Sequence, residues 1–215
     1  MRGTECVPVT GPVVLAARHY HHLLDAAAII AITRRPVHCL VAVDWVHSRA
    51  ERWLFEMACR AARWPMVLRR DALRHSQARF GPGDRRRYAR NALRLAASIL
   101  ADGGILLVFP EGHPVIDPEE AAPRDATALR PFRSGIERMV AGAHRLGAGR
   151  VSVVPVGIDY QRDGMWKIDM RIGAPHTLED HPAHGELTAA LRRDVAALSG
   201  LGRHVELESS WPGPG

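Results

Sequence analysis

The chain has 215 residues, 47% hydrophobic and 24% charged, enough apolar matter for the core of one ordinary domain. It contains no apolar run of about 18 residues, no basic-then-apolar secretory segment in Met1 to Thr10, and an odd trio of cysteines, Cys6, Cys39 and Cys59, without metal-like spacing, which argues against a membrane-spanning, secreted or disulfide-stapled protein. A net charge of +6 and a sequence pI near 10.0, carried almost wholly by arginine, leave three kinds of anionic partner to weigh: nucleic acid, anionic lipid headgroups or an acidic carrier protein.

Val13 to Ala17 reads as a short buried strand. A polar knot follows, Arg18-His19-Tyr20-His21-His22-Leu23-Leu24-Asp25, and then Ala26 to Ile32 as a helix with Asp25 in its first turn. Val37 to Val43 is a second strand, and Arg49 to Trp64 has helical periodicity with Trp53, Leu54, Met57 and Ala61 on one face. Met66 to Leu68 is a third strand, ending in Arg69-Arg70-Asp71. Phe80 to Asp84 is a loop by its turn residues. Arg85 to Leu100 is an amphipathic helix with Tyr88, Ala92, Leu93, Leu95, Ala96, Ile99 and Leu100 as core positions, stopped by Asp102-Gly103-Gly104. The strand Ile105 to Phe109 runs directly into Pro110-Glu111-Gly112. His113 to Arg130 reads as a surface loop, Ser134 to Leu146 as helix, Val151 to Val156 and Trp166 to Ile172 as strands, and Leu187 to Leu198 as a closing helix. The tail Glu206 to Gly215 reads as frayed. Strands alternating with helices predict an α/β fold, a largely parallel central sheet flanked by helices, as a single domain over residues 1–215 with its core at about 11–200.

Four places carry chemistry. In the polar knot, a His beside an Asp at the mouth of a strand supplies a base and the acid that holds its tautomer. His21 and Asp25 are four apart and share a face on a helix, His22 and Asp25 are three apart and could also meet, and His19, which precedes the turn, could fold back. Plain stabilisation of a helix N-terminus by Asp25 and a metal site on the histidines are the competing readings. Glu111 ends a buried strand, where open α/β sheets place their ligands, and Gly112 after it permits close approach. Arg69 and Arg70 end another strand and suit a phosphate. Arg133-Ser134-Gly135 opens a helix, whose free N–H groups suit an anion or a capping Ser134.

In this order and spacing the segments resemble the glycerolipid acyltransferase family, which includes the 1-acylglycerol-3-phosphate acyltransferases. Its third block is Phe-Pro-Glu-Gly, intact here as Phe109, Pro110, Glu111 and Gly112. Phe132 to Ile136, Val154-Pro155-Val156, Met66 to Leu68 with Arg69 or Arg70, and Arg171 to Pro175 resemble its other segments. The resemblance covers roughly residues 11 to 176. The family's first block is His, four residues, Asp. Here the position five before Asp25 is Tyr20, flanked by His19 and His21, and His113 stands where the family usually has Thr.

The resemblance implies transfer of a fatty acyl group from acyl-CoA or acyl carrier protein, as co-substrate, to the hydroxyl of a lysophospholipid or glycerol phosphate. It implies a His base oriented by Asp25, with no acyl-enzyme, no cofactor and no metal. His21 is the first choice of base and His19 the second, with His22 beside them. Glu111 with its neighbours Phe109, Pro110 and Gly112, together with Arg69 or Arg70 and Arg133, would form the acceptor site, and Pro155 its wall. A cytoplasmic protein resting peripherally on the inner face of an anionic membrane, binding no nucleic acid, is the expected setting. The alternative expectation is a relative that binds lipid or acyl carrier without turnover, because Tyr20 occupies the His position.

Overall fold

The first strand, β1 (Val13–Ala17), has five apolar residues and all five are buried, as a strand covered on both faces requires. The computed structural model describes residues 1–69, 80–81, 83–116, 125–163 and 165–201. Around β1 lies a five-stranded sheet in the order β2-β5-β1-β6-β7, with β2 (Val37–Cys39), β5 (Ile105–Val108), β6 (Ser152–Asp163) and β7 (Met165–Ile172). The first four strands run parallel, and β7 returns antiparallel along β6. Side chains alternate between the two faces. Val14, Ala16, Leu106 and Val108 pack against α3 (Asp84–Ala101), α4 (Gly135–Arg145) and α5 (Glu186–Leu198). Val13, Leu15, Ala17, Ile105 and Leu107 pack on the other side, with α1 (Leu24–Ile32). The expected α/β class with a largely parallel sheet is the fold observed.

Strand order determines where a ligand can sit. The adjacent strands β1 and β5 send their following helices to opposite faces, α1 to one and α4 to the other. That divergence opens a crevice at their C-terminal ends, the ligand position of open α/β sheets. The polar knot after β1 and the Phe-Pro-Glu-Gly turn after β5 both lie at this edge.

Several elements differ from expectation. The strand expected over Val37 to Val43 changes partner at Leu40. The Leu40 N–H still donates to the Leu107 carbonyl at 2.9 Å, while the Val41 N–H donates to Pro65 at 2.9 Å. Residues 41 onward therefore form β3 (Val41–Ala42), paired in a separate two-stranded sheet with β4 (Met66–Val67). β6 runs on to Asp163 because β7 continues to pair with it after β1 has ended. In the stretch expected as a surface loop, His113, Pro114 and Val115 are buried. Val115 and Ile116 donate backbone hydrogen bonds to the carbonyls of His19 and Tyr20, at 3.0 and 2.8 Å. Residues 117–124 and the expected frayed tail lie outside the described residues.

The helix α2 (Arg49–Ala61) turns its expected apolar face outward: Trp53, Leu54 and Met57 are 63%, 60% and 45% exposed. Its inner side instead carries a polar bridge to α3. Arg52 donates to Glu56 at 2.7 Å and to the Tyr88 hydroxyl at 2.8 Å, and Tyr88 donates to Glu56.

Gly157 on β6 sits against the end of α5, and a Cβ there would lie 2.4 Å from the Leu198 carbonyl carbon. Gly157→Ala is expected to lower stability by about 1–3 kcal/mol, because the helix end must move away from the sheet. The urea midpoint should fall at unchanged slope.

Candidate active site

β1 ends at Ala17, and the next residue is a buried arginine, 2% exposed. The Arg18 backbone N–H donates to Val156 at 3.0 Å, and its guanidinium donates to the carbonyl of Ile158 at 3.1 Å and to that of Ala126. Burial pulls its pKa below the ordinary arginine value, opposed by the nearby carboxylates of Glu111, Asp159 and Asp25. Arg18 thus ties the start of the knot to β6 and to the segment preceding α4.

His19 is gripped from four directions. Its backbone N–H donates to Glu111 Oε1 at 2.9 Å, and its carbonyl accepts from Val115. Its ring stacks on Phe109, with centroids 4.1 Å apart and planes at 16°. Its Nδ1 lies 3.1 Å from Asp25 Oδ2, and 14% of the side chain is exposed. A carboxylate only accepts, so Nδ1 is the donor in this pair, which in the neutral ring leaves the lone pair on Nε2.

Asp25, in the first turn of α1, has no exposed surface. Besides His19, its Oδ2 accepts the backbone N–H groups of Tyr20 at 2.7 Å and His21 at 2.9 Å. Its Oδ1 accepts the Tyr160 hydroxyl at 2.7 Å. Burial, followed by the Asp25 charge, pushes the Tyr160 phenol well above its usual value, so it remains a donor. Tyr20 stacks flat on Tyr160, with centroids 4.5 Å apart, and lies under the Arg18 guanidinium.

The histidine that meets Asp25 is therefore His19, not the first choice His21. The expectation for His21 required a helix extending back to it, whereas α1 begins at Leu24. His21 Nδ1 instead accepts the N–H groups of Leu23 and Leu24, at 3.3 Å each, and so caps a helix that has no other side-chain cap. Burial and the neighbouring His22 lower its pKa, which suits a neutral acceptor. His22 stacks on His21 at 4.6 Å, its Nδ1 buried without a hydrogen-bond partner among the described residues.

Glu111 was expected to face substrate, yet it is 4% exposed and spends its oxygens on main-chain donors, His19 N–H and Arg130 N–H, the latter at 3.1 Å. Burial raises its pKa above the ordinary carboxylate value, against those bonds and the charge of Arg18. Phe109 and Pro110 complete the turn: the Phe109 carbonyl accepts from Gly112 and the Pro110 carbonyl from Arg133, each at 3.0 Å. Gly112 has φ +77, and a Cβ there would lie 3.0 Å from Arg133 Nε, so the Arg133 guanidinium is laid directly on this turn. Ser134 makes no side-chain cap to α4.

Arg69 also reaches the turn. Its Nε donates to Asp44 at 2.5 Å, and its Nη1 lies 2.9 Å from His113 Nδ1. Arg70 lies outside the described residues. Pro155, expected as a pocket wall, pairs with Ala16 in mid-sheet and packs against Gly173 on the α5 side, the face opposite α1 and Asp25. Among the described residues, no group of three or more His, Cys, Asp or Glu side chains is arranged to hold a metal ion.

Sequence reasoning missed Arg18, Asp44, His113 and Tyr160 as members of this cluster. Arg18 stood in the knot and His113 beside the Phe-Pro-Glu-Gly block, where adjacency was a usable signal. Nothing local marks Tyr160, which is 135 residues from Asp25. The assembled site offers a paired imidazole at a crevice with two arginines beside it, an arrangement that can take a proton from a hydroxyl while an anionic group is held close by.

The model of the family described as Acyltransferase matches residues 1–159. No curated protein matches the chain. Among solved structures, the crystal structure of the 1-acyl-sn-glycerophosphate (LPA) acyltransferase, PlsC, from Thermotoga maritima has a similar fold. It is 18% identical with a TM-score of 0.53, over 99% of this chain and 73% of that one.

Two outcomes follow from the geometry. Tyr160→Phe leaves Asp25 Oδ1 buried without that donor, and should cost about 1–3 kcal/mol in urea unfolding. The raised pKa of Glu111 means that the folded state holds this proton more tightly than the unfolded state does. Its contribution to stability is thus greatest at acid pH and is lost as pH rises from about 4.5 through the raised value. Glu111→Gln should flatten that part of the stability curve, and an unchanged slope would count against the assignment.

Proposed function

The chain belongs to the acyltransferase family, and from that premise we propose that it transfers a fatty acyl group from a thioester, acyl-CoA or acyl carrier protein, to the hydroxyl of a lysophospholipid or glycerol phosphate. The observation that carries this reading is the His19–Asp25 pair, set against the Phe109 ring and the Glu111 carboxylate at the β1/β5 crevice.

In this mechanism the acceptor hydroxyl gives its proton to His19 Nε2 as its oxygen attacks the thioester carbonyl. The tetrahedral intermediate then collapses, the C–S bond breaks, and the imidazolium returns the proton to the departing thiolate. No bond to the protein forms. Asp25 holds the Nδ1–H tautomer and faces the imidazolium charge as it develops. Arg69 and Arg133, at the rim of the same turn, supply the positive charge for the acceptor's phosphate. Glu111 acts through the backbone, setting where His19 sits.

The test is thiol release from acyl-CoA, with and without lysophosphatidic acid. Acceptor-dependent release should fall by about 10²–10⁴-fold in His19→Ala, the range for losing a general base, and persist in His21→Ala. Equal loss in the two variants would remove His19 from the role. No release from folded wild type with either donor would favour the non-catalytic relative that Tyr20 first suggested. The same assay with acyl carrier protein identifies the donor.

A further inference from the structure

In α2, Ala50, Trp53, Leu54, Met57, Ala58 and Ala61 recur at helical spacing and form one stripe, and all six are exposed. No acid opposes it. Glu51 is turned back onto the backbone N–H groups of His47 and Ser48, and Glu56 is held by Arg52, by Tyr88 and, at 3.5 Å, by Arg60. Arg49 and Arg60, both exposed, border one side of the stripe. Beyond Arg60 lies a groove of about 600 Å³ between α2 and α3, where Arg60, Arg87 and Arg94 outnumber the one acid in the lining, Glu56. Trp45, 45% exposed, extends the apolar surface before α2, with its ring edge-on to Phe55. Trp45 adjoins Asp44, whose carboxylate holds Arg69 at the rim of the crevice. Among the described residues no helix is long and apolar enough to cross a membrane.

We propose that the outward face of α2 is the surface by which this chain rests on an anionic phospholipid membrane, its apolar stripe in the headgroup region and the arginine groove beside it on lipid phosphates. Tryptophan, leucine and methionine flanked by cations is the composition of a helix lying in the interface plane. An acidic carrier protein would need the cations alone, whereas here the unpartnered surface is chiefly apolar. The proposal rests on the lipid-acceptor reading above, since an acceptor embedded in a bilayer must reach a crevice whose rim adjoins this surface.

The experiment is co-sedimentation of the full chain with vesicles of phosphatidylglycerol and phosphatidylcholine, or of phosphatidylcholine alone, without acyl donor. Wild type should bind the anionic vesicles in preference. The triple variant Trp53→Ser/Leu54→Ser/Met57→Ser should bind them at least about tenfold more weakly, and Arg60→Gln about fivefold. Brominated phosphatidylglycerol should quench wild-type tryptophan emission, and Trp53→Phe should remove much of that quenching. Folding of the triple variant is checked by circular dichroism, and it should turn over a short-chain, water-soluble acceptor at the wild-type rate.

Equal vesicle binding by wild type and triple variant overturns the proposal. So does a wild-type dimer that the triple variant dissolves, which gives the face to a second copy, or carrier-protein binding lost while vesicle binding is kept. Binding is read without catalysis, so vesicle attachment by an inactive protein would sink the acyltransferase reading and leave this surface standing.

Discussion

The carboxylate of Asp25 has no exposed surface, and the crevice is built around satisfying it. A buried carboxylate left unmet costs several kcal/mol, so every side of it must find a donor. Two donors come from the backbone of the knot, at Tyr20 and His21, one from the His19 ring, and one from Tyr160 on β6. Three separated pieces of chain are thereby drawn to one point: the end of β1, the start of α1 and the outer half of β6. The same demand that satisfies a buried charge places an imidazole at the strand edge.

The Phe-Pro-Glu-Gly turn works on this imidazole from the other side. It follows β5, the neighbour of β1, so its Phe109 and Glu111 stand next to His19 by strand register alone. Phe109 fixes the plane of the ring and Glu111 the position of its backbone. With Asp25 on Nδ1, three restraints of different kinds, stacking, backbone hydrogen bonding and a side-chain hydrogen bond, act on one residue. Orientation of this kind is what a positioned base requires. The carboxylate that the motif displays most openly in sequence is in the structure a buried support.

The α/β fold was legible because its signals are local: β1 and β5 are unbroken apolar runs, α3 has a clear apolar stripe, and glycines stop it at Gly103 and Gly104. The cluster was legible as a set of segments but not as a set of contacts. His21 looked better placed than His19 because spacing on a helix was applied to residues that precede the helix. Tyr160 and Arg18 could not be paired with Asp25 and β6 from sequence, because those contacts depend on β6 lying beside β1. The outward stripe of α2 shows the limit of periodicity: it locates an apolar face but not the direction in which that face points. Here the inward side carries the polar bridge from Arg52 and Glu56 to Tyr88, together with Phe55 and the buried Cys59.

The unusual spacing in the knot has a structural resolution. The family pattern separates His and Asp by four residues, and the position it specifies is Tyr20. Six positions, not five, separate His19 from Asp25, yet the two side chains meet. The additional residue is absorbed where the chain is neither strand nor helix, between Ala17 and Leu24. Tyr20 lends its N–H to Asp25 while its ring leaves the crevice line to stack between Tyr160 and Arg18. His21 turns the other way and caps α1. The residues from Arg18 to His21 are thus each held by named contacts, and the register that results returns a histidine to the carboxylate. A loop anchored at both ends, by β1 pairing and by the first turn of α1, can lengthen by one residue without moving either anchor. The relation between His19 and Asp25 is set by those anchors, not by the count between them.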